Sequence, residues 1–243
     1  MIDLHCHLLP GIDDGAADMR DALAMARQGE EDGIELVCAT PHIRHDHDVR
    51  IHELPARVEE VNRELERAGL RVRAATGGEV AETALPGLDD RELRAVSLGG
   101  GGRWLLIEPA PGPLEASLVR HVGALHSRGF SCVIAHPERH PGGLFEERLI
   151  DLCESGALIQ LTADALVAGE AADFLLELAG RGLAHLLGSD AHSSRFGRPL
   201  RLSEGLARLE GVERVRGHIH WIAREAPAAI VRGEEVRPPY PAG

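Results

Sequence analysis

His5 and His7 stand one residue apart in a run that reads Ile-Asp-Leu-His-Cys-His-Leu-Leu-Pro-Gly-Ile-Asp-Asp over residues 2–14. Side chains alternate along an extended strand, so both imidazoles face one side while Leu4, Cys6 and Leu8 face the other. Two imidazoles on one face can hold one metal ion. Pro10-Gly11 stops the strand, and Asp13-Asp14-Gly15 supplies carboxylates in the turn beyond its end, with Asp14 taken as the ligand. A lone His-x-His is equally well explained by a core histidine bonded to backbone. The rest of the chain shifts that balance, because the arrangement recurs. His42 follows the apolar run 34–40, Glu79 follows 70–76, Glu108 closes 103–108, His136 follows 130–135, and Asp190 and His192 follow 183–188.

These nine residues of ligand type at equivalent places are too many for one ion and suit a cluster of two or three. Imidazole and carboxylate donors without thiolate suit Mn, Fe or Zn better than Ca or Mg. Set against three divalent ions, the carboxylates of Asp14, Glu79, Glu108 and Asp190 leave an excess of about two positive charges, which favours an anionic ligand. Arg139, three residues after His136, and Arg198, beyond His192, could each present a planar fork to phosphate oxygens. The alternative for both arginines is a surface salt bridge.

Composition removes several other chemistries. A net charge of -13 argues against a general nucleic-acid surface, which needs a basic footprint. The chain has no Lys, so Schiff-base, P-loop and carbamylated-lysine mechanisms are excluded. Cys6, Cys38, Cys132 and Cys153 stand singly in mostly apolar segments, which points to buried free thiols rather than disulfides or a zinc ribbon. No apolar run approaches the ~20 residues of a membrane span, and the N-terminus lacks a signal-peptide pattern, so a cytoplasmic protein is expected.

The elements that must position these residues follow from periodicity. Apolar runs at 34–40, 70–76, 103–108, 130–135, 157–162 and 183–188 join the first strand to make seven. Helical spacing covers 16–33, 51–69, 88–96, 113–129, 144–156 and 165–182, with two or three helices in 200–233. Gly99–Gly102 reads as a flexible turn, and the Pro-rich segment 237–243 as a frayed tail on a single domain spanning 1–243. Strands alternating with helices imply a parallel sheet, and at this length a closed or nearly closed barrel, with an open doubly wound sheet as the alternative. Ligand-type residues at six of seven strand ends favour the barrel, in which those ends converge.

The pattern Asp-x-His-x-His, Thr-Pro-His, Gly-Glu, a strand-end Glu, Ala-His-Pro-Glu-Arg and Ser-Asp-Ala-His resembles the polymerase-and-histidinol-phosphatase (PHP) superfamily. Within it, Leu-His-Cys-His-Leu-Leu-Pro-Gly-Ile-Asp-Asp-Gly, Ala-Thr-Pro-His, His-Pro-Glu-Arg and Ala-Pro-Ala-Ala-Ile-Val-Arg-Gly resemble the bacterial manganese-dependent protein-tyrosine phosphatases of capsule and exopolysaccharide systems. The resemblance runs from Ile2 to about Gly233. It implies an α/β fold, a distorted seven-stranded (β/α)7 TIM-like barrel, with two or three Mn2+ ions. It also implies removal of phosphate from the tyrosine-rich tail of a bacterial tyrosine kinase. Carried over residue by residue, the metal ligands are His5, His7, Asp14, His42, Glu79, Glu108, His136, Asp190 and His192, with Glu108 a bridge and Arg139 and Arg198 holding phosphate. The chain departs from the family at Ile43–His47, and by one extra residue between His192 and Gly197-Arg198-Pro199. Two other readings stay open: a PHP-type esterase for histidinol phosphate or a nucleotide, and a non-enzymatic metal-binding module.

Overall fold

The structure, a computed structural model, describes residues 1–167 and 171–242; residues 168–170, near the start of the helix expected over 165–182, and the last residue lie outside it. Among the described residues, nine strands pair in parallel throughout. In chain order they are β1 (Ile2–Cys6), β2 (Leu36–Ala39), β3 (His42–Ile43), β4 (Arg73–Thr76), β5 (Glu79–Ala81), β6 (Trp104–Glu108), β7 (Ser131–Ala135), β8 (Leu158–Thr162) and β9 (Leu186–Gly188). They form a three-stranded sheet, β1-β2-β4, and a six-stranded sheet, β3-β5-β6-β7-β8-β9.

The count of nine in two sheets replaces the expected seven, and its cause is local. Thr40-Pro41 separates β2 from β3, since proline offers no N–H to a ladder. Gly77-Gly78 separates β4 from β5, and the backbones pack so closely there that a Cβ on Gly77 would fall 2.9 Å from Thr40 Cγ2. At the other side β9 is tied back to β1 by a Cys6–Ala191 bridge, Asp190 N to His5 O (2.9 Å) and His7 N to Ala191 O (2.9 Å). The C-terminal ends of β1, β6, β7 and β9, and the starts of β3 and β5 just beyond β2 and β4, are thereby gathered on one side.

Strands β7 and β8 are buried along their whole length, which is why they read as nearly continuous apolar runs. Alternation divides them. Leu105, Ile107, Cys132, Ile134, Ile159 and Leu161 share a core with helix residues such as Leu118, Val122, Leu149 and Leu152. Trp104, Leu106, Val133, Ala135, Leu158 and Leu186 form a second core. The covering helices are α1 (Met19–Glu31), α2 (Leu54–Arg67), α3 (Asp90–Ala95), α4 (Ala116–Ser127), α5 (Phe145–Glu154), α6 (Ala172–Gly180), α7 (Ser203–Glu210) and α8 (Ala226–Val231). Their buried faces keep the spacing expected of them: α1 buries Ala22, Met25, Ala26 and Gly29, and α2 buries Leu54, Val58, Val61 and Leu65. Asp18 caps α1 by accepting from Asp21 N, and Asp89 with Glu92 makes a capping box for α3.

Two expectations fail. The Gly99–Gly102 turn is anchored at two of its glycines, Gly99 against Val231 and Gly101 against Gly233, so closely that a Cβ on either would overlap backbone, while Gly100 and Gly102 face open space. The tail is docked rather than frayed at Tyr240, which is 6% exposed and donates its hydroxyl to Ala184 O at 2.8 Å. The single buried aromatic ring outweighs the loose look of a Pro-rich segment, because prolines leave few N–H groups in need of partners.

Candidate metal centre

His5 and His7 are fully buried, and their Nε2 atoms point at the same two carboxylates. His5 Nε2 lies 3.3 Å from Glu79 Oε1 and 3.3 Å from Asp190 Oδ1. His7 Nε2 lies 3.3 Å from Glu79 Oε2 and 3.3 Å from Asp190 Oδ1. Neither Nε2 has a hydrogen-bond partner. Glu79, at the start of β5, is the hub of the cluster. Its Oε1 also sits 2.8 Å from His136 Nε2, and its Oε2 3.0 Å from His42 Nδ1. His42 Nε2 and His192 Nε2 turn toward Asp14 Oδ1, at 3.4 and 3.6 Å. Glu108 closes the group from β6, 3.8 Å from His42 Nδ1.

All nine residues expected from the sequence are therefore brought together. They fall into overlapping groups whose donor atoms lie within 4.8 Å of one another: His7, Asp14, His42 and His192; His5, His136 and Asp190; His5, His7 and Glu79; His42, Glu79 and Glu108. Buried, unpartnered His5 Nε2, His7 Nε2, His42 Nδ1, His136 Nδ1 and Glu79 Oε2 are the donor set a divalent transition ion requires. The residues present fit such ions.

Backbone geometry aims these groups. His136 (φ 29°) and Asp190 (φ 49°) adopt the left-handed region without being glycine, each just past a strand end. Pro137 disfavours a helical conformation at His136, and Glu138 pins the loop by accepting from Thr162 N at 2.8 Å. The electrostatics reflect the crowding. Burial alone would raise Glu79, but the neighbouring imidazoles of His5, His136 and His42 hold it well below the carboxylate range. Asp190 is likewise held low against burial, by His5 and His7. Burial would lower His7, yet Asp13, Asp190 and Glu79 push it well above the usual histidine value. His192 goes the other way, to about 4, through burial and the charge of His7.

Arg139 and Arg198 stand beside the cluster, both on Asp190. Arg139 Nη2 reaches Asp190 Oδ2, and Thr162 Oγ1 at 3.2 Å; Arg198 Nη2 is 2.9 Å from Asp190 Oδ2, and its Nε donates to Asp190 O at 2.9 Å. Each guanidinium is about a third exposed, so it can turn toward an incoming anion. Three neighbours escaped the sequence reading. Asp13 accepts from His7 Nδ1 at 2.8 Å, Gln160 Oε1 from His5 Nδ1 at 2.8 Å, and Arg44 Nη1 is 3.5 Å from Glu108 Oε1. Gln160 had a signal: it is the one amide inside an apolar strand.

The model of the capsular polysaccharide synthesis family CpsB/CapC matches residues 1–230. The chain belongs to that family. Relatives include tyrosine-protein phosphatase YwqE of Bacillus subtilis, 30% identical with 99% of this chain and 96% of YwqE covered. A putative tyrosine-protein phosphatase CapC of Staphylococcus aureus is 26% identical, with 79% and 77% covered. Among solved structures, the chain superposes with a TM-score of 0.82 on one from a study of YwqE and of CpsB from Streptococcus pneumoniae, described there as unique metal-dependent tyrosine phosphatases. That match has 26% identity and covers 98% of this chain and 97% of the other. A likeness in fold alone extends to a β-aspartyl dipeptidase of Fervidobacterium islandicum, at TM-score 0.56 and 14% identity, covering 95% of this chain and 74% of that one. For this CpsB/CapC family member the cluster described above is where metal-dependent chemistry would sit.

Proposed function

We propose that this chain is a metal-dependent tyrosine phosphatase that dephosphorylates the tyrosine-rich tail of a bacterial tyrosine kinase in capsule or exopolysaccharide synthesis, in the cytoplasm, with Mn2+ as its native ion. His5, His7, Asp14, His42, Glu79, Glu108, His136, Asp190 and His192 would hold two or three ions between them. When bound, the ions supply positive charge for phosphoryl oxygens and lower the pKa of a water for attack on phosphorus. Arg139 and Arg198 would swing their forks from Asp190 to the non-bridging oxygens and hold the ester for in-line displacement. No thiol takes part: Cys6, Cys38 and Cys132 are buried, Cys153 lies half-buried on α5 outside the cluster, and burial pushes the last three up to about 12. A tyrosinate leaves with a conjugate acid near pKa ~10, so its departure needs less help from an acid than an alkoxide does.

The observation that carries this reading is the convergence of nine ligand-type side chains with buried, unpartnered ring nitrogens, in a chain similar over its whole length to tyrosine phosphatases. The test is metal content and hydrolysis of phosphotyrosine peptides in one preparation. Preference for histidinol phosphate or a nucleotide would replace the substrate, and absence of both metal and activity after Mn2+ addition would overturn the enzyme itself.

A further inference from the structure

We infer that Asp13 and Gln160 are positioning residues that fix the tautomers of His7 and His5, so that both imidazoles present an unprotonated Nε2 to the same divalent ion. The inference rests on the metal-site reading given above.

An imidazole ligates through a lone pair, so the nitrogen facing the ion must be bare and the proton must reside on the other. The back nitrogens of both rings are engaged. His7 Nδ1 meets Asp13 Oδ2 at 2.8 Å, and His5 Nδ1 meets Gln160 Oε1 at 2.8 Å. Both partners are acceptors there, and the two Nε2 atoms are left free and buried.

Asp13 is held by hydrogen bonds and Gln160 by packing, its Nε2 buried without a partner. Asp13 Oδ2 also accepts from His42 N at 3.0 Å, and its Oδ1 from Gly15 N at 3.0 Å, so the carboxylate cannot rotate away from His7 without losing two further bonds. Gln160 is 1% exposed, on the one expected strand that carries no ligand-type residue, and it shares the side of Leu158 rather than that of Ile159. Glycines make room for both contacts. A Cβ on Gly15 would fall 2.4 Å from His7 Cβ, and one on Gly188 would fall 2.7 Å from Gln160 Cδ. No side chain larger than hydrogen is compatible with either approach.

The pair is asymmetric. A carboxylate behind His7 adds charge to the ring and strengthens its hold on a cation, whereas an amide behind His5 fixes orientation without charge. Removing the acceptor should free the ring to carry its proton on Nε2, which removes it as a ligand.

The experiment measures Mn2+ and Zn2+ affinity by chelator competition in the full chain and in Asp13→Ala, Gln160→Leu and Gln160→Glu. It also records long-range 1H–15N histidine spectra of the Zn2+-loaded proteins. Asp13→Ala and Gln160→Leu should each weaken binding about tenfold to a hundredfold. Gln160→Glu keeps the acceptor and should bind at least as well as Gln160 itself, an outcome that mere loss of packing would not give. The wild-type spectra should show His5 and His7 protonated at Nδ1 and metal-bound at Nε2. Wild-type affinity in both acceptor-loss variants, or metal-bound Nδ1 on either ring, would overturn the inference while leaving the metal site intact. A wild-type chain that binds neither ion would instead overturn the metal-site reading.

Discussion

The two ends of the parallel strands are built on opposite principles. At the C-terminal ends, and at the breaks that follow β2 and β4, five buried polar atoms of the candidate centre have no hydrogen-bond partner, and His136 and Asp190 sit in strained backbone. At the N-terminal ends the buried polar groups around the docked tail are paired. Trp104 Nε1 donates to Glu234 O at 2.7 Å and Tyr240 to Ala184 O, while His185 Nδ1 accepts from Ile159 N at 3.0 Å. The ring of Tyr240 lies against those of His185, His218 and Trp221. A cavity of about 690 Å³ also opens at this end, lined in part by Arg103, His126 and the tail. The strands that carry the cluster thus have one end that stabilises the fold and another that spends some of that stability on holding imidazoles and carboxylates together. Substitutions at the first should change stability alone, and those at the second should change metal binding and turnover.

The largest effect is expected at Glu79. Glu79→Gln keeps the shape and removes the charge that His5, His7, His42 and His136 all face. Metal affinity and kcat/KM on a phosphotyrosine peptide should fall together by more than about a hundredfold, the upper range for losing an outer-shell partner. Full metal occupancy with normal turnover would erase the distinction between the two ends. Next comes Arg139. Charge-assisted contacts are worth about 1.5–3 kcal/mol, so Arg139→Ala should cost about ten- to over a hundredfold in kcat/KM, with Arg139→Lys recovering part of it. Arg198 still pairs with Asp190 in that variant, so bound metal should not change. Near wild-type efficiency with metals retained would make Arg139 a salt-bridging residue only.

At the opposite end, burial lowers His185 to about 4. Its folded value is below the unfolded one of ~6.5, so the unfolded chain takes up the proton first and stability is lost as pH falls from about 6.5 to about 4. The buried ring accounts for a loss on the order of 3 kcal/mol over that window. Asp3, raised to about 6 by burial, acts in the opposite sense across part of the same range. The measurement is therefore a difference: urea unfolding of wild type and His185→Gln at several pH values, with the acid-limb slope flatter in the variant. Equal slopes would show that His185 is not the titrating group.

What the sequence disclosed differs between the two ends for a physical reason. Ligand-type residues must sit at strand ends, and strand ends are marked by apolar runs that stop, so all nine members of the cluster were legible at 5, 7, 14, 42, 79, 108, 136, 190 and 192. Asp13 was not separable from Asp14, because which of two adjacent carboxylates turns inward depends on the turn closed by Gly15 N. The breaks at Thr40-Pro41 and Gly77-Gly78 close the apolar runs 34–40 and 70–76, and the strands that resume beyond them are only two and three residues long, too short to show a period, so two strands are read where the sheets contain four. The docking of Tyr240 depends on a contact with Ala184, 56 positions away in the chain. No local pattern announces such a contact, and proline content pointed the other way.

Tyr240 gives the smallest and most discriminating prediction. Tyr240→Phe keeps the ring among His185, His218 and Trp221 and removes only the hydroxyl that satisfies Ala184 O. A buried hydrogen bond contributes about 1 kcal/mol net, and in a domain of this size that corresponds to a fall of roughly 2–4 °C in Tm. Tyr240→Ala also removes the ring, and truncating a large aromatic costs about 3–5 kcal/mol, so its Tm should fall several times further. Neither change touches a group within the metal cluster, so metal affinity and kcat/KM, measured below the melting range, should match wild type in both. A fall in turnover for Tyr240→Phe with Tm unchanged would mean that the docked tail acts on the catalytic end through the strands. The separation of a stabilising end from a chemical end would then be wrong for this protein, however well each contact around Tyr240 is satisfied.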